Sequence, residues 1–191
     1  MTTLTVVKKD GVAAMAADSL TTFGDTRLGR AYKGEHDKIL QIGDTLIGLC
    51  GSSAHPLVLT SSLAQLAEPR FGSRAEVFET FRRLHPILKE HAFLNPKEDE
   101  DDPYESSQLT ALIVNPAGIF GVFSLREVFE FDRFWAIGSG RQFALGAMHA
   151  LYDSGASANT IATAGVEAGI EFDSASGGPV VSHCIPLKAT L

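Results

Sequence analysis

Thr2-Thr3-Leu4-Thr5-Val6-Val7-Lys8-Lys9-Asp10-Gly11-Val12-Ala13-Ala14-Met15-Ala16-Ala17-Asp18 reads as strand, turn and strand, with a hydroxyl residue before the first strand and a carboxylate where the second runs out. Thr3–Val7 and Val12–Ala17 are β-rich. Between them Asp10-Gly11 is a strong hairpin signal, because both residues tolerate the positive φ angles of a tight hairpin turn. The small side chains of Ala13, Ala14, Ala16 and Ala17 predict that another element packs closely against the second strand.

Thr2 is small enough for an aminopeptidase to remove Met1, which would leave a threonine bearing its own free amine. Such an amine has an ordinary pKa of ~7.7–8.0, so near pH 7 a useful fraction is neutral and can accept the hydroxyl proton. Activation of a threonine by its own amine is an established form of nucleophilic catalysis. Val12–Ala17 after Lys8 and Lys9 has a superficial likeness to a secretory signal, but it is too short and its cleavage would discard Thr2. A strand of small apolar residues is the better reading.

Working outward, Gly24–Asp37 is a polar excursion. Lys38–Ile42 and Thr45–Cys50 form a second hairpin about Gly43-Asp44, so the first fifty residues supply about four antiparallel strands. Helices are predicted from Gly51 to about Glu68 and, behind the Ser73-x-x-Glu76 capping box, over the next twenty residues, with a kink or break at Pro86. Leu109–Val114, Ile119–Ser124, Glu127–Phe131 and Phe134–Ile137 are read as a second antiparallel sheet. Ser139 is expected to cap a helix through Tyr152, and Ser157 to open one reaching about Glu171. Val180–Pro186 is the last strand. Two helices after each of two antiparallel sheets imply an α+β, four-layer αββα sandwich, residues 1–191 forming a single domain.

Bulk properties narrow the function. The 191 residues carry 16 basic and 23 acidic side chains, a net charge of −7, which argues against nucleic acid or an anionic membrane as partner. No apolar run approaches a membrane span. Cys50 and Cys184 sit in apolar runs and read as buried thiols of a reducing cytoplasm. Pro96–Pro103 is a nearly continuous acidic segment, read as a mobile surface loop. The Phe120–Trp135 aromatics divide between core and subunit contact. No Gly-x-Ser-x-Gly elbow, phosphate loop, Cys-x-x-Cys or His-Glu-x-x-His is present, and the histidines lack ligand spacing, so neither metal nor organic cofactor is expected.

Thr2-Thr3, Ala17-Asp18-Ser19 with Thr22 close behind, Asp37-Lys38-Ile39, Gly51-Ser52-Ser53-Ala54, Ala136-Ile137-Gly138-Ser139-Gly140 and Asp173-Ser174-Ala175-Ser176-Gly177-Gly178 stand in order along the chain. On these segments it resembles the threonine-type N-terminal-nucleophile peptidases, HslV and the proteasome β-subunits, and within them a small group of bacterial proteasome homologues. The resemblance covers nearly the whole length and implies the Ntn-hydrolase fold. It also implies roles. Thr2 would be nucleophile with its amine as base; Lys38 would lower the cost of the alkoxide, with Asp18 holding Lys38. Ser139, Asp173 and Ser176 would bond to the Thr2 amine and a water. The Gly51 N–H would be the oxyanion donor. Thr22 and Ser53 would pair with an extended substrate as an added strand, and Leu20 and Leu49 would wall a pocket favouring apolar side chains.

Further implications are unfolded polypeptide or peptide substrates, a homo-oligomeric double ring of seven or six subunits per ring, and an ATP-dependent unfoldase partner. Three departures from the family pattern stand out: Ser53 where a small apolar residue is usual, His55 where an acidic one is common, and a longer Gly24–Lys38 stretch. Two other readings stay open. One is an Ntn amidohydrolase acting on a small amide. The other is an inert ring subunit that retains Met1, whose amine would then be blocked.

Overall fold

The computed structural model describes residues 2–34, 37–96 and 101–189. Its organising hairpin joins β1 (Thr3–Lys9) to β2 (Val12–Ala17), with Asp10 at φ 50° and Gly11 at φ 74° making the tight turn. Thr3 to Val7 are all buried, so β1 is a central strand and needs a partner along each edge. β2 fills one edge. The other is filled by a strand from far along the chain, β10 (Phe134–Gly138), and β11 (Val181–Pro186) completes the sheet on the far side of β2.

This differs from the expected division of strands. The second sheet is made of β5 (Ile39–Ile42), β6 (Thr45–Cys50), β7 (Thr110–Asn115), β8 (Gly118–Val122) and β9 (Val128–Phe131), in that order. The first fifty residues therefore do not form one sheet and the 109–137 segment the other. Residues 18–38 cross between the layers and the short link after β9 crosses back. The crossing contains a two-strand hairpin, β3 (Thr21–Phe23) with β4 (Thr26–Leu28), and a 3₁₀ turn at Arg30–Tyr32; β4 and the turn lie inside what the sequence offered only as a polar excursion, and β3 just before it.

Three apolar layers follow from the alternation of side chains along the strands. Leu4, Val6, Ala13 and Met15 meet Leu46, Leu112, Val114 and Ile119 between the sheets. Helices α1 (His55–Leu63) and α2 (Arg74–His91) cover the second sheet through Leu59, Phe81, Leu84 and Leu88 against Ile47, Ile113 and Phe120. Helices α3 (Arg141–Leu151) and α4 (Ala158–Phe172) cover the first through Met148, Ile161, Ala162 and Val166 against Val7, Ala14 and Ala16. The result is an αββα sandwich. The alanines of β2 are what admit α4 so closely.

Other local expectations change. Pro86 lies within an unbroken α2, on its exposed face, where water can bond the carbonyl that the proline leaves unpaired. The Ser73 hydroxyl accepts the Glu76 N–H as expected, but the Glu76 carboxylate bonds the Gly72 N–H instead of closing the box. α1 ends at Leu63, short of Glu68. Ser139 does not cap α3; its hydroxyl is engaged elsewhere, and Gly140 holds the cap position without a side-chain bond. Ser157 caps α4 through the Thr160 N–H. Cys184 is exposed and Cys50 half-buried, because β11 is an edge strand and Cys50 ends β6 at the site. Of the aromatics, Phe120 is core, while Phe129 and Trp135 form a partly exposed ladder with Phe131. Residues 97–100 of the acidic segment lie outside the described residues.

Candidate active site

β1 and β2 pair Leu4 with Ala17, which sets Asp18 beside the start of the chain. The Asp18 side chain has no solvent exposure. Its Oδ1 accepts the Lys38 ammonium at 2.6 Å and the Thr3 N–H at 3.0 Å. Its Oδ2 accepts the Leu20 N–H at 3.1 Å and the Gly177 N–H at 3.0 Å. A buried carboxylate is tolerated only when its lone pairs are satisfied in this way. Lys38 is also largely buried. Burial lowers its pKa below the ordinary lysine value, with the charge and hydrogen bond of Asp18 opposing the shift. Lys38 thus stands one shared oxygen away from the backbone of Thr3.

On the opposite side, the Thr2 nitrogen lies 3.4 Å from Ser139 Oγ. Ser139 and Ser176 both donate to Asp173 Oδ2, at 2.6 and 2.7 Å. Ser176 Oγ is also 2.7 Å from Thr3 Oγ1; since Ser176 spends its proton on Asp173, Thr3 is the donor there. Burial would raise the Asp173 pKa, but the two serine bonds outweigh it and hold the carboxyl below the ordinary 3.8. A carboxylate with a lowered native pKa contributes stability above its unfolded value and loses it as pH falls through the native one. The Ser139–Asp173–Ser176 network is therefore expected to persist through mildly acidic solution. Among the predicted trio only Ser139 reaches the Thr2 nitrogen; Asp173 and Ser176 act one bond further out.

A cavity of about 260 Å³ opens between these groups and the second sheet, lined by Thr2, Lys38, Gly51, Leu20, Leu49, Thr22 and Ser53, with Thr21, Phe23, Ser52 and Pro56 completing the wall. Gly51 sits at φ 110°, a conformation that other residues rarely adopt, at the end of β6. The structure thus brings Thr2, Lys38, Gly51 and the four expected substrate-side residues to one cavity, with Asp18 behind Lys38 and the Ser139–Asp173–Ser176 group behind Thr2. Among the described residues, no cluster of His, Cys, Asp or Glu could hold a metal ion, and no helix is long and apolar enough to cross a membrane.

Comparison with known proteins bears on this geometry. No family model matches the chain. The HslV ATP-dependent protease subunit of Nitratiruptor sp. is 29% identical over 154 residues, spanning 78% of this chain and 77% of that one. Solved structures of Thiobacillus denitrificans BPH, one of them in complex with epoxomicin, superpose with TM-scores of 0.92 and 0.91 at 42% and 41% identity, over 98% of this chain and all of theirs. The chain belongs to the HslV and proteasome β-subunit family of threonine-type peptidases. HslV from Trypanosoma brucei, at 20% identity and a TM-score of 0.68, shares the fold.

Within this peptidase, three contributors went unread in the sequence. Thr3 joins both halves of the site, its N–H on Asp18 and its hydroxyl on Ser176. Strand alternation held the signal: with Leu4 and Val6 facing the inter-sheet core, Thr3 must face the other way. Arg27 on β4 donates to the Ser174 carbonyl at 2.9 Å, tying the hairpin that carries Thr22 to the Asp173–Ser176 loop. Lys33 donates to Thr21 Oγ1 at 3.1 Å on the cavity wall. Nothing local marks either cation, because both act across the fold.

Gly169 of α4 is where the helix backbone meets β1: a Cβ there would strike Oγ1 and Cγ2 of Thr3. Gly169→Ala is expected to destabilise the peptidase by about 1–3 kcal/mol, as overpacking does, and to lower activity by displacing the Thr3 hydroxyl from Ser176. Thermal denaturation beside peptide hydrolysis measures both. A variant as stable and as active as the parent would contradict this packing.

Proposed function

We propose that this peptidase works through Thr2, exposed by removal of Met1, as both nucleophile and base. The observation that carries the reading is the shared cavity: Thr2, Lys38 and Gly51 line the same space. The Thr2 hydroxyl passes its proton to its own amine as Oγ1 attacks the scissile carbonyl. Lys38, held by Asp18, lowers the cost of negative charge on that oxygen. The carbonyl oxygen takes up the charge and the Gly51 N–H receives it. Collapse of the adduct breaks the C–N bond, the amine proton goes to the leaving nitrogen, and an ester to Thr2 remains. Water, deprotonated by the same amine, hydrolyses the ester and restores Thr2. Ser139, bonded to Asp173, orients the amine.

The substrate would lie extended between Thr22 and Ser53, with an apolar side chain against Leu20 and Leu49. The HslV relative, named as a subunit of an ATP-dependent protease, supports partnership with an ATP-dependent unfoldase, and the family resemblance supports a double ring with seven or six subunits to each ring. Proteolysis would then be confined to an inner chamber. Epoxomicin, bound by the Thiobacillus relative, is expected to inhibit this chain as well.

Intact mass together with hydrolysis of chromogenic peptides and of small amides tests the reading. The expected result is a chain without Met1 that cleaves peptides ending in an apolar residue and leaves small amides intact. A mass that always includes Met1, with no cleavage, would establish the inert ring subunit instead.

A further inference from the structure

We propose that His55 is a positioning residue for the oxyanion site, holding the Cys50–Gly51 peptide plane so that the Gly51 N–H points into the cavity. The inference rests on the proposed role of Gly51. His55 opens α1, five residues past the end of β6, and its ring folds back over the turn it has just left. Nδ1 stands 3.3 Å from the Cys50 carbonyl oxygen. A carbonyl only accepts, so the ring proton is on Nδ1. The Cys50 C=O and the Gly51 N–H belong to one peptide unit, and among the described residues the only cis bond is Gly178–Pro179. In a trans unit the oxygen and the hydrogen point in opposite directions. Pulling the carbonyl toward His55 therefore aims the amide hydrogen away from it, toward the side where Thr2 and Lys38 line the cavity.

Strand alternation agrees. The Leu49 N–H is bonded to the Lys38 carbonyl at 3.0 Å, and two residues on the Gly51 N–H faces the same side. The ring also supports Gly51 by contact: a Cβ built on Gly51 would stand 3.0 Å from Cε1 and 3.2 Å from Nδ1 of His55. A glycine at φ 110° has wide backbone freedom, and this is the position where that freedom would blur an oxyanion donor. Burial keeps the His55 pKa below 6.5, the bond to Cys50 opposing, so the ring is the neutral Nδ1–H form at neutral pH.

The test uses the full, processed chain, with kcat and KM measured separately on an apolar chromogenic peptide. His55→Phe keeps a ring beside Gly51 and removes the donor. His55→Asn carries an N–H at the atom matching Nδ1 and restores it. Losing an oxyanion donor outright costs ~10²–10³ in rate, and loosening one costs part of that. His55→Phe is expected to lower kcat about tenfold with KM within about twofold, and His55→Asn to recover most of kcat. His55→Ala serves if the phenylalanine variant does not fold, as judged by thermal denaturation. Unchanged kcat in the donor-less variant, a change confined to KM, or no recovery with asparagine would each overturn the inference. Thr2→Ala run alongside separates the two failures, since activity there sinks the Thr2 reading itself.

Discussion

Thr2→Ala is expected to yield a folded protein with no measurable peptide hydrolysis, a loss on the order of 10⁴–10⁶ by comparison with other removed nucleophiles. The substitution deletes one hydroxyl and one methyl group from the lining of the cavity and leaves the backbone nitrogen facing Ser139. Thr2 belongs to none of the three apolar layers, so the unfolding midpoint is expected to shift by only a few degrees. The pairing of outcomes matters. Lost activity with an unchanged midpoint assigns the chemistry to Thr2, whereas cleavage at the parent rate would assign it elsewhere in the fold.

Lys38→Met is expected to be costly twice over. It abolishes activity by removing the lysine ammonium that lines the cavity, and it leaves the wholly buried Asp18 carboxylate without its charge partner. Breaking a buried pair from one side costs about 3–5 kcal/mol, several degrees in melting temperature for a chain of this size. Combining Lys38→Met with Asp18→Asn removes the orphaned charge. The double variant is expected to regain part of the lost stability while staying inactive, because an amide oxygen in the Oδ2 position can still accept the Leu20 and Gly177 N–H groups. Should the double variant melt no higher than the single one, the stabilising role of this pair is wrong.

Much of this was legible because it is local. Asp10-Gly11 announced the hairpin, the alanines of β2 announced the close approach of α4, and Ser73 and Ser157 announced two helix starts. What stayed hidden is pairing at long range. β10 lies two residues after β9 yet joins the other sheet, because β1, buried from Thr3 to Val7, has an open edge to fill. No period in the sequence carries that demand. The site shows the same division: Thr2, Asp18, Lys38 and Ser139 stand at element ends and can be picked out by position. Arg27, in a polar excursion, takes its role only once residues 174–176 arrive beside it. Ser139 looked like a helix cap because serine is a favoured capping residue; here the helix opens one residue later, behind Gly140, and Asp173, a charged acceptor, claims the serine proton.

The four groups that satisfy Asp18 come from residues 3, 20, 38 and 177. A ribosome delivers the first three early and the last only after every strand of the second sheet has been made. Until Gly177 docks, the carboxylate is one bond short and Ser176 cannot reach Thr3, so the growing polypeptide holds the parts of this arrangement without its final geometry.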